Sequence, residues 1–300
     1  MTKENKIFAD KRIGIMGKGG SGKSTITVLL AKAFKNYGYQ VCVLDADSTN
    51  IGIHQALGFK KSPSPLMDYF GGAVFSGGAV SCPVDDPTHL AGSEISLKEI
   101  PIKYYSQDQN ELFLFVLGKI GDKGPGAGCD GPISKITRDL RIREIGNKPV
   151  TLIDIKAGLE DSARGVITGM DWLITVVDPN TAAIQIAADI KNLVHQIQAG
   201  ELPSTEHLES PELVEKAKKI FREAKIKKSF VIMNRIKNKK IENYVKEKLN
   251  EKGISPIGVI HEDNSIPLSW IEGNFLEGIK AKKDIIQAIK RLEKVIKEQQ

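Results

Sequence analysis

The stretch Gly17-Lys18-Gly19-Gly20-Ser21-Gly22-Lys23-Ser24-Thr25 decides how this chain is read. The apolar run Ile13-Gly14-Ile15-Met16 precedes it and Ile26-Thr27-Val28-Leu29-Leu30-Ala31 follows, so a buried strand turns through glycines into a helix. The spacing is G-x-x-x-x-G-K-[ST], and its composition has a physical reason. Glycines let consecutive backbone N–H groups curl round a phosphate, and the helix behind them adds the positive end of its dipole. Gly17, Gly19, Gly20, Ser21 and Gly22 supply the cradle. Lys23 is expected to reach the β- and γ-phosphates of ATP or ADP, Ser24 to ligate Mg²⁺, and Thr25 to donate to the α-phosphate.

Further along, Tyr37-Gly38-Tyr39 ends the first helix and Gln40-Val41-Cys42-Val43-Leu44 reads as a second buried strand, with Cys42 a small core residue. It delivers Asp45-Ala46-Asp47 at its C-terminal end, where ligands collect in open parallel sheets. Asp45 is read as support for magnesium or for the loop. Alternatively, Asp47-Ser48-Thr49 caps a short helix from Ile51. Pro149 to Ile155 is another apolar strand ending in an acid. Asp154 suits a magnesium position held through water, and Gly158 lets the backbone approach a γ-phosphate. Trp172 to Val177, Ser229 to Asn234 and Ile257 to Ile260 continue the strands. Helices are expected from Asn180 to Gln198, Pro211 to Ala224 and Ile241 to Lys252. Strand–helix alternation of this kind predicts an α/β fold, a mainly parallel, doubly wound sheet with helices on both faces, as one domain over residues 1–300.

Residues 58–110 interrupt the alternation as an insertion of loops and a hairpin, with Ile100 to Tyr105 and Leu112 to Val116 as its strands and Cys82 an exposed thiol. Gly121 to Pro132 is so rich in glycine that it reads as a loop, displaying Cys129 ahead of a helix from about Ile133. The dipole of that helix favours a thiolate at Cys129, as a metal ligand or reactive thiol; a bystander cysteine is the other reading. The last segment, 280–300, is an amphipathic helix with Ile285, Ile289, Leu292 and Ile296 on one face. It lacks aromatic anchors and is expected to pack on the sheet rather than on a membrane.

Composition narrows the classes. A net charge of +6, with lysines gathered late in the chain, permits attraction to nucleic acid, anionic lipid or an acidic partner, although most such faces are simply solvated. Aromatic residues make up 6%, too few to suggest a base-stacking platform. No stretch approaches ~18 consecutive apolar residues, the N-terminus carries no signal core, and three scattered cysteines make no disulfide framework. A cytoplasmic protein without transmembrane segments is expected.

Lys18 makes the loop Lys-Gly-Gly-x-Gly-Lys-Ser, which resembles the deviant Walker A family of MinD, ParA, the nitrogenase iron protein and the CooC accessory ATPases of carbon monoxide dehydrogenase. The resemblance implies an ATP-driven homodimer in which Lys18 reaches the partner's ATP, as an arginine finger does. In an ordinary phosphate loop it would be a solvated charge. The resemblance also implies that Asp47 lies beside the γ-phosphate and orients water. Asn234-Arg235 resembles the family's adenine-contacting pair, and Gly258-Val259-Ile260-His261-Glu262-Asp263 its G-x-I-P-x-D nucleotide loop. Asp154-Ile155-Lys156-Ala157-Gly158-Leu159-Glu160, with Arg164-Gly165, is similar to the switch run D-x-E-A-G-x-E…R-G, and the Gly-Pro-Gly-x-Gly-Cys loop to the CooC loop that carries a Cys-x-Cys metal site. This CooC branch is the nearest resemblance, from about Lys11 to Ile279.

There are departures. Lys156 replaces a glutamate, His261 a proline, and Asp130-Gly131 follows Cys129 where a second cysteine belongs. Nickel or zinc at a dimer axis would need Asp130 or water to complete the site, and a shared iron–sulfur cluster would need Cys82 brought there. The expected function is a Mg·ATP-hydrolysing dimeric switch that serves metal-centre (nickel) insertion into a client metalloenzyme of the carbon monoxide dehydrogenase type. The alternatives are a ParA/MinD-like positioning ATPase on DNA or membrane, and an iron–sulfur reductase resembling the nitrogenase iron protein.

Overall fold

The computed structural model describes residues 6–47, 49, 51–74, 77–109, 111–118, 130–143, 148–159, 165–201 and 210–298. Ten strands are formed among them: β1 (Arg12–Gly17), β2 (Val41–Asp45), β3 (Glu94–Ser96), β4 (Ser106–Asp108), β5 (Leu112–Val116), β6 (Arg141–Arg143), β7 (Val150–Asp154), β8 (Trp172–Val177), β9 (Lys228–Ile236) and β10 (Gly258–His261). Eight of them make one sheet in the order β10-β9-β8-β1-β7-β2-β5-β4, parallel throughout except where the edge strand β4 runs against β5. The strand order reverses around β1, and that switch point sets ligands at the carboxyl ends of the strands.

Period-two alternation assigns the two faces. Ile13 and Ile15, Val41 and Val43, Leu152, Ile174 and Val176, Phe230 and Ile232 point to one core. There they meet α1 (Lys23–Asn36), α2 (Ile53–Leu57) and the terminal helix, Ala281–Lys297. Met16, Cys42, Leu44, Ile153 and Leu173 point the other way, into a core completed by α4 (Gly131–Asp139) and α5 (Thr181–Gln198), beyond α3 (Leu66–Tyr69). A third cluster joins α5 to α7 (Lys239–Glu251) through Ala183, Ala187, Val231, Met233, Val245 and Leu249, with α6 (Pro211–Arg222) before them in the chain. The last two helices are α8 (Ser265–Glu272) and α9 (Ala281–Lys297). The apolar stripe of α9, Ile285, Ile289, Leu292 and Ile296, is buried in the first core. Cys42 lies in the second, where burial pushes its thiol up to about 12.

Three local expectations are corrected. The hairpin strand facing β5 is Ser106–Asp108, whereas Ile102–Tyr104 is a single 3₁₀ turn; an edge strand needs only backbone pairing, so its polar side chains gave no apolar signal. The short helix after β2 starts at Ile53, not Ile51, with Gly52 at its N-cap and no side-chain cap. Asp47 instead accepts from the N–H and hydroxyl of Thr49, at 3.0 and 2.7 Å. The third concerns α4, which begins at Gly131 rather than Ile133.

The insertion folds as a cover over α4. Although Lys135, Arg138 and Asp139 are charged, each is at most 6% exposed. Lys135 Nζ donates to Ser81 Oγ and Asp86 Oδ2, both at 2.7 Å. Arg138 is paired with Asp139, which also accepts from the Leu90 N–H and meets His89 Nδ1 at 2.9 Å. Burial alone would push the Asp139 carboxyl up, but the hydrogen bonds and charge of Arg138, with the donors at Leu90 and His89, hold it below the usual range.

Candidate nucleotide site

The loop 17–22 leaves the C-terminal end of β1 and runs into the N-terminus of α1. Two of its glycines are required by their surroundings. At Gly17 (φ +144°) a Cβ would lie 2.5 Å from the Val176 carbonyl oxygen, and at Gly22 (φ +93°) it would lie 2.3 Å from Asn234 Nδ2. The Ser21 N–H donates to Lys18 O, closing the turn, and the Ser21 hydroxyl is buried without a partner among the described residues. Lys23 is 6% exposed along its length, and its ammonium has no partner among the described residues. Lys18 is half-buried, and its Nζ makes one long contact, 3.4 Å to its neighbour Gly19 O.

Ser24 Oγ donates to Asp154 Oδ2 at 2.6 Å, and Thr27 Oγ1 lies 3.4 Å from Asp154 Oδ1. Asp45 is level with Asp154 in the sheet register, and both carboxylates are buried, at 1% and 0% exposure. The Asp47 N–H donates to Asp45 Oδ1 at 3.3 Å. A hydroxyl and two buried carboxylates at one sheet edge are hard oxygen donors of the kind Mg²⁺ takes together with phosphates and water. The donor set therefore fits that ion. Past β7, the Gly158 N–H donates to Gly17 O at 3.4 Å, so the segment after Asp154 lies against the start of the loop.

On the other side of the loop, Asn234 Nδ2 donates to Ser21 O and an Arg235 guanidinium N–H donates to Gly20 O, both at 2.8 Å. Arg235 holds a left-handed backbone, φ +57°, to do so. The expected loop at 261–263 has a different set of bonds. His261 Nδ1 meets Asp284 Oδ2 at 3.0 Å, Asp263 accepts from the N–H groups of Ser265, Lys280 and Ala281, and Glu262 is exposed. These contacts fix the starts of α8 and α9. Sequence reading missed Trp270 altogether: from α8 its Nε1 donates to Thr25 Oγ1 at 3.0 Å. The sequence held no cue beyond the tryptophan itself, on a helix that proves to have no fully buried residue.

Cys129 and the glycine loop before it, Glu160 and Arg164 lie outside the described residues. Asp130, which with water was one of the two oxygen donors expected to complete a metal site at Cys129, is ion-paired with Lys156. No group of three or more His, Cys, Asp or Glu side chains converges on a metal position among the described residues. No described helix is long and apolar enough to cross a membrane.

Residues 14–276 match the CobQ/CobB/MinD/ParA nucleotide binding domain. An uncharacterized ATP-binding protein of Methanocaldococcus jannaschii is 35% identical over 184 residues, 61% of this chain and 72% of that one. The carbon monoxide dehydrogenase accessory protein CooC of Rhodospirillum rubrum is 30% identical over 196 residues, 62% of this chain and 70% of its own. Among solved structures, the septum site-determining protein MinD of Pyrococcus horikoshii, complexed with Mg-ADP, is similar in fold, with a TM-score of 0.59 at 16% identity, covering 95% of this chain and 97% of that one.

Proposed function

The chain belongs to the CobQ/CobB/MinD/ParA nucleotide-binding family, and on that premise we propose that it is a Mg·ATP-hydrolysing dimeric switch serving metal-centre maturation in a client enzyme. The observation that carries the nucleotide reading is the bond from Ser24 to Asp154, which ties the first turn of α1 to the acid at the end of β7. In this reading Lys23 neutralises the β- and γ-phosphates, and the glycine cradle meets them with backbone N–H groups. Ser24, Asp154 and Asp45 would hold Mg²⁺, and the ion would supply charge neutralisation at the phosphates. Asp47 orients the attacking water. Asn234 and Arg235 back the loop beside the base, and residues 261–263 close that side.

Lys18 is assigned to the partner protomer's nucleotide. Among the described residues its side chain has only the long contact to Gly19 O to give up, and a cation delivered to the transition state in this way is worth about 10³–10⁵ in turnover. The likeness to CooC supports a client of the carbon monoxide dehydrogenase type; nickel as its cargo rests on the motif resemblance alone. The Asp130–Lys156 pair argues against Asp130 as a ligand of that cargo. Titration calorimetry with ADP and a non-hydrolysable ATP analogue tests the nucleotide reading. Micromolar binding that needs Mg²⁺ and disappears in Lys23→Ala is expected, and unchanged affinity in that variant would overturn it.

A further inference from the structure

An indole N–H is a donor and nothing else, so Thr25 must accept from Trp270 and send its own proton elsewhere. In a helix the usual acceptor is the carbonyl four residues back. Thr27 uses it, donating to Lys23 O at 3.0 Å. For Thr25 that carbonyl belongs to Ser21, and it already receives Asn234 Nδ2 at 2.8 Å. That carbonyl has a second lone pair, yet the Thr25 hydroxyl donates neither to it nor to any other acceptor among the described residues, in a side chain only 7% exposed. A buried hydroxyl with a proton to give, in the first turn behind a glycine cradle, suits an oxygen that only accepts. A phosphate oxygen does.

The same indole touches a second element. Gly52 passes over its six-membered ring at φ +114°, where a Cβ would stand 3.5 Å from Cζ3. Trp270 therefore bridges the phosphate end of α1 and the backbone that follows Asp47.

We propose that Trp270 is a positioning residue for the nucleotide: by filling an acceptor lone pair of Thr25 it presets that hydroxyl as a donor to the α-phosphate, and it passes phosphate occupancy to the segment at Gly52. This rests on the nucleotide reading above. No sequence motif assigns the role. It follows from the donor-only chemistry of indole and from a Thr25 hydroxyl that makes no donor bond of its own among the described residues.

The test is Mg·ADP binding by calorimetry to the full chain and to Trp270→Phe, Thr25→Val, Thr25→Ser and the Trp270→Phe/Thr25→Val double variant. ADP carrying sulfur in place of an α-phosphate oxygen is run alongside, and thermal melts check folding. Trp270→Phe removes the N–H and also trims the outer ring that meets Gly52, so the Thr25 variants and the double variant isolate the hydrogen bond. We expect Trp270→Phe to weaken ADP about 5–10-fold, the scale of one hydrogen bond. Thr25→Val should lose at least as much, Thr25→Ser should recover, and the double variant should bind no worse than Thr25→Val. The preference for ADP over its α-thio analogue should shrink in Trp270→Phe and in Thr25→Val. Intrinsic fluorescence should change on ADP binding and stop changing in Trp270→Phe, because the other tryptophan, Trp172, is 4% exposed and packed on Phe8. Losses that multiply in the double variant, or Trp270→Phe affinity within twofold of the parent, would overturn the proposal while leaving the nucleotide reading intact. A parent chain that binds no nucleotide would overturn both.

Discussion

Ser24 Oγ donates to Asp154 Oδ2 across 2.6 Å, joining residues 130 positions apart in sequence at the point where α1 begins and β7 ends. The bond aligns a hydroxyl and a carboxylate that a magnesium ion would share, one directly and the other through water. Asp154→Asn is therefore expected to raise the Mg²⁺ concentration needed for nucleotide binding by roughly 10–100-fold, the usual effect of an outer-shell change. Magnesium titrations at fixed ADP read this directly, and an unchanged midpoint would remove Asp154 from the metal's surroundings.

Gly22 tests the loop geometry. A methyl group there would meet Asn234 Nδ2 at 2.3 Å and would also have to hold φ +93°. Gly22→Ala should lose about 1–3 kcal/mol from the left-handed backbone alone. Adding Asn234→Ala should return part of the loss by clearing the clash. Denaturant unfolding of both variants measures it, and a Gly22→Ala protein as stable as the parent would contradict the described loop.

The cover over α4 makes a prediction independent of nucleotide. Arg138 and Asp139 are paired at 2.7 Å with side chains 3% and 1% exposed. Removing one partner of such a pair leaves a buried charge alone and costs about 3–5 kcal/mol. Asp139→Ala should unfold at correspondingly lower denaturant, whereas Lys216→Ala, on an exposed pair in α6, should change stability by about 1 kcal/mol or less.

Acid should weaken the ion pairs within α7. Hydrogen bonds from Lys246 and Lys239 hold the Glu242 carboxyl down at about 2, against ~4.3 for a free glutamate. A carboxylate depressed on folding adds stability that is complete above its unfolded value and is lost as pH falls through the folded one. The deficit of Glu242→Gln relative to the parent should therefore be constant above about pH 5 and close between about pH 4.3 and 2. Melting curves across that range test it; a deficit independent of pH would contradict the ion pairs.

Much of this was legible in the sequence because the signals were local. Residues 13–31 carry strand, glycine turn and helix in one continuous run, and the strands ending in Asp45 and Asp154 are mostly apolar, Thr151 being the one polar residue before their acids. The α/β class and the doubly wound parallel sheet follow from such runs and stand in the structure. What was hidden depended on partners distant in sequence. The charges of α4 look solvent-facing until residues 81–90 are laid over them. Ser106–Asp108 has no apolar face to advertise a strand. Thr25 and Trp270 are 245 positions apart, and no spacing rule links a tryptophan in α8 to a phosphate loop.

The most direct test of the switch is mass in solution, by light scattering, for the parent and Lys18→Ala with ADP and with a non-hydrolysable ATP analogue, alongside ATP turnover. The account predicts a monomer with ADP and a dimer with the analogue. Lys18→Ala should bind nucleotide normally, remain monomeric with the analogue and lose hydrolysis by about 10³-fold or more. Turnover within a few-fold of the parent, with dimers that ignore the substitution, would contradict it and return Lys18 to the role of a solvated loop charge.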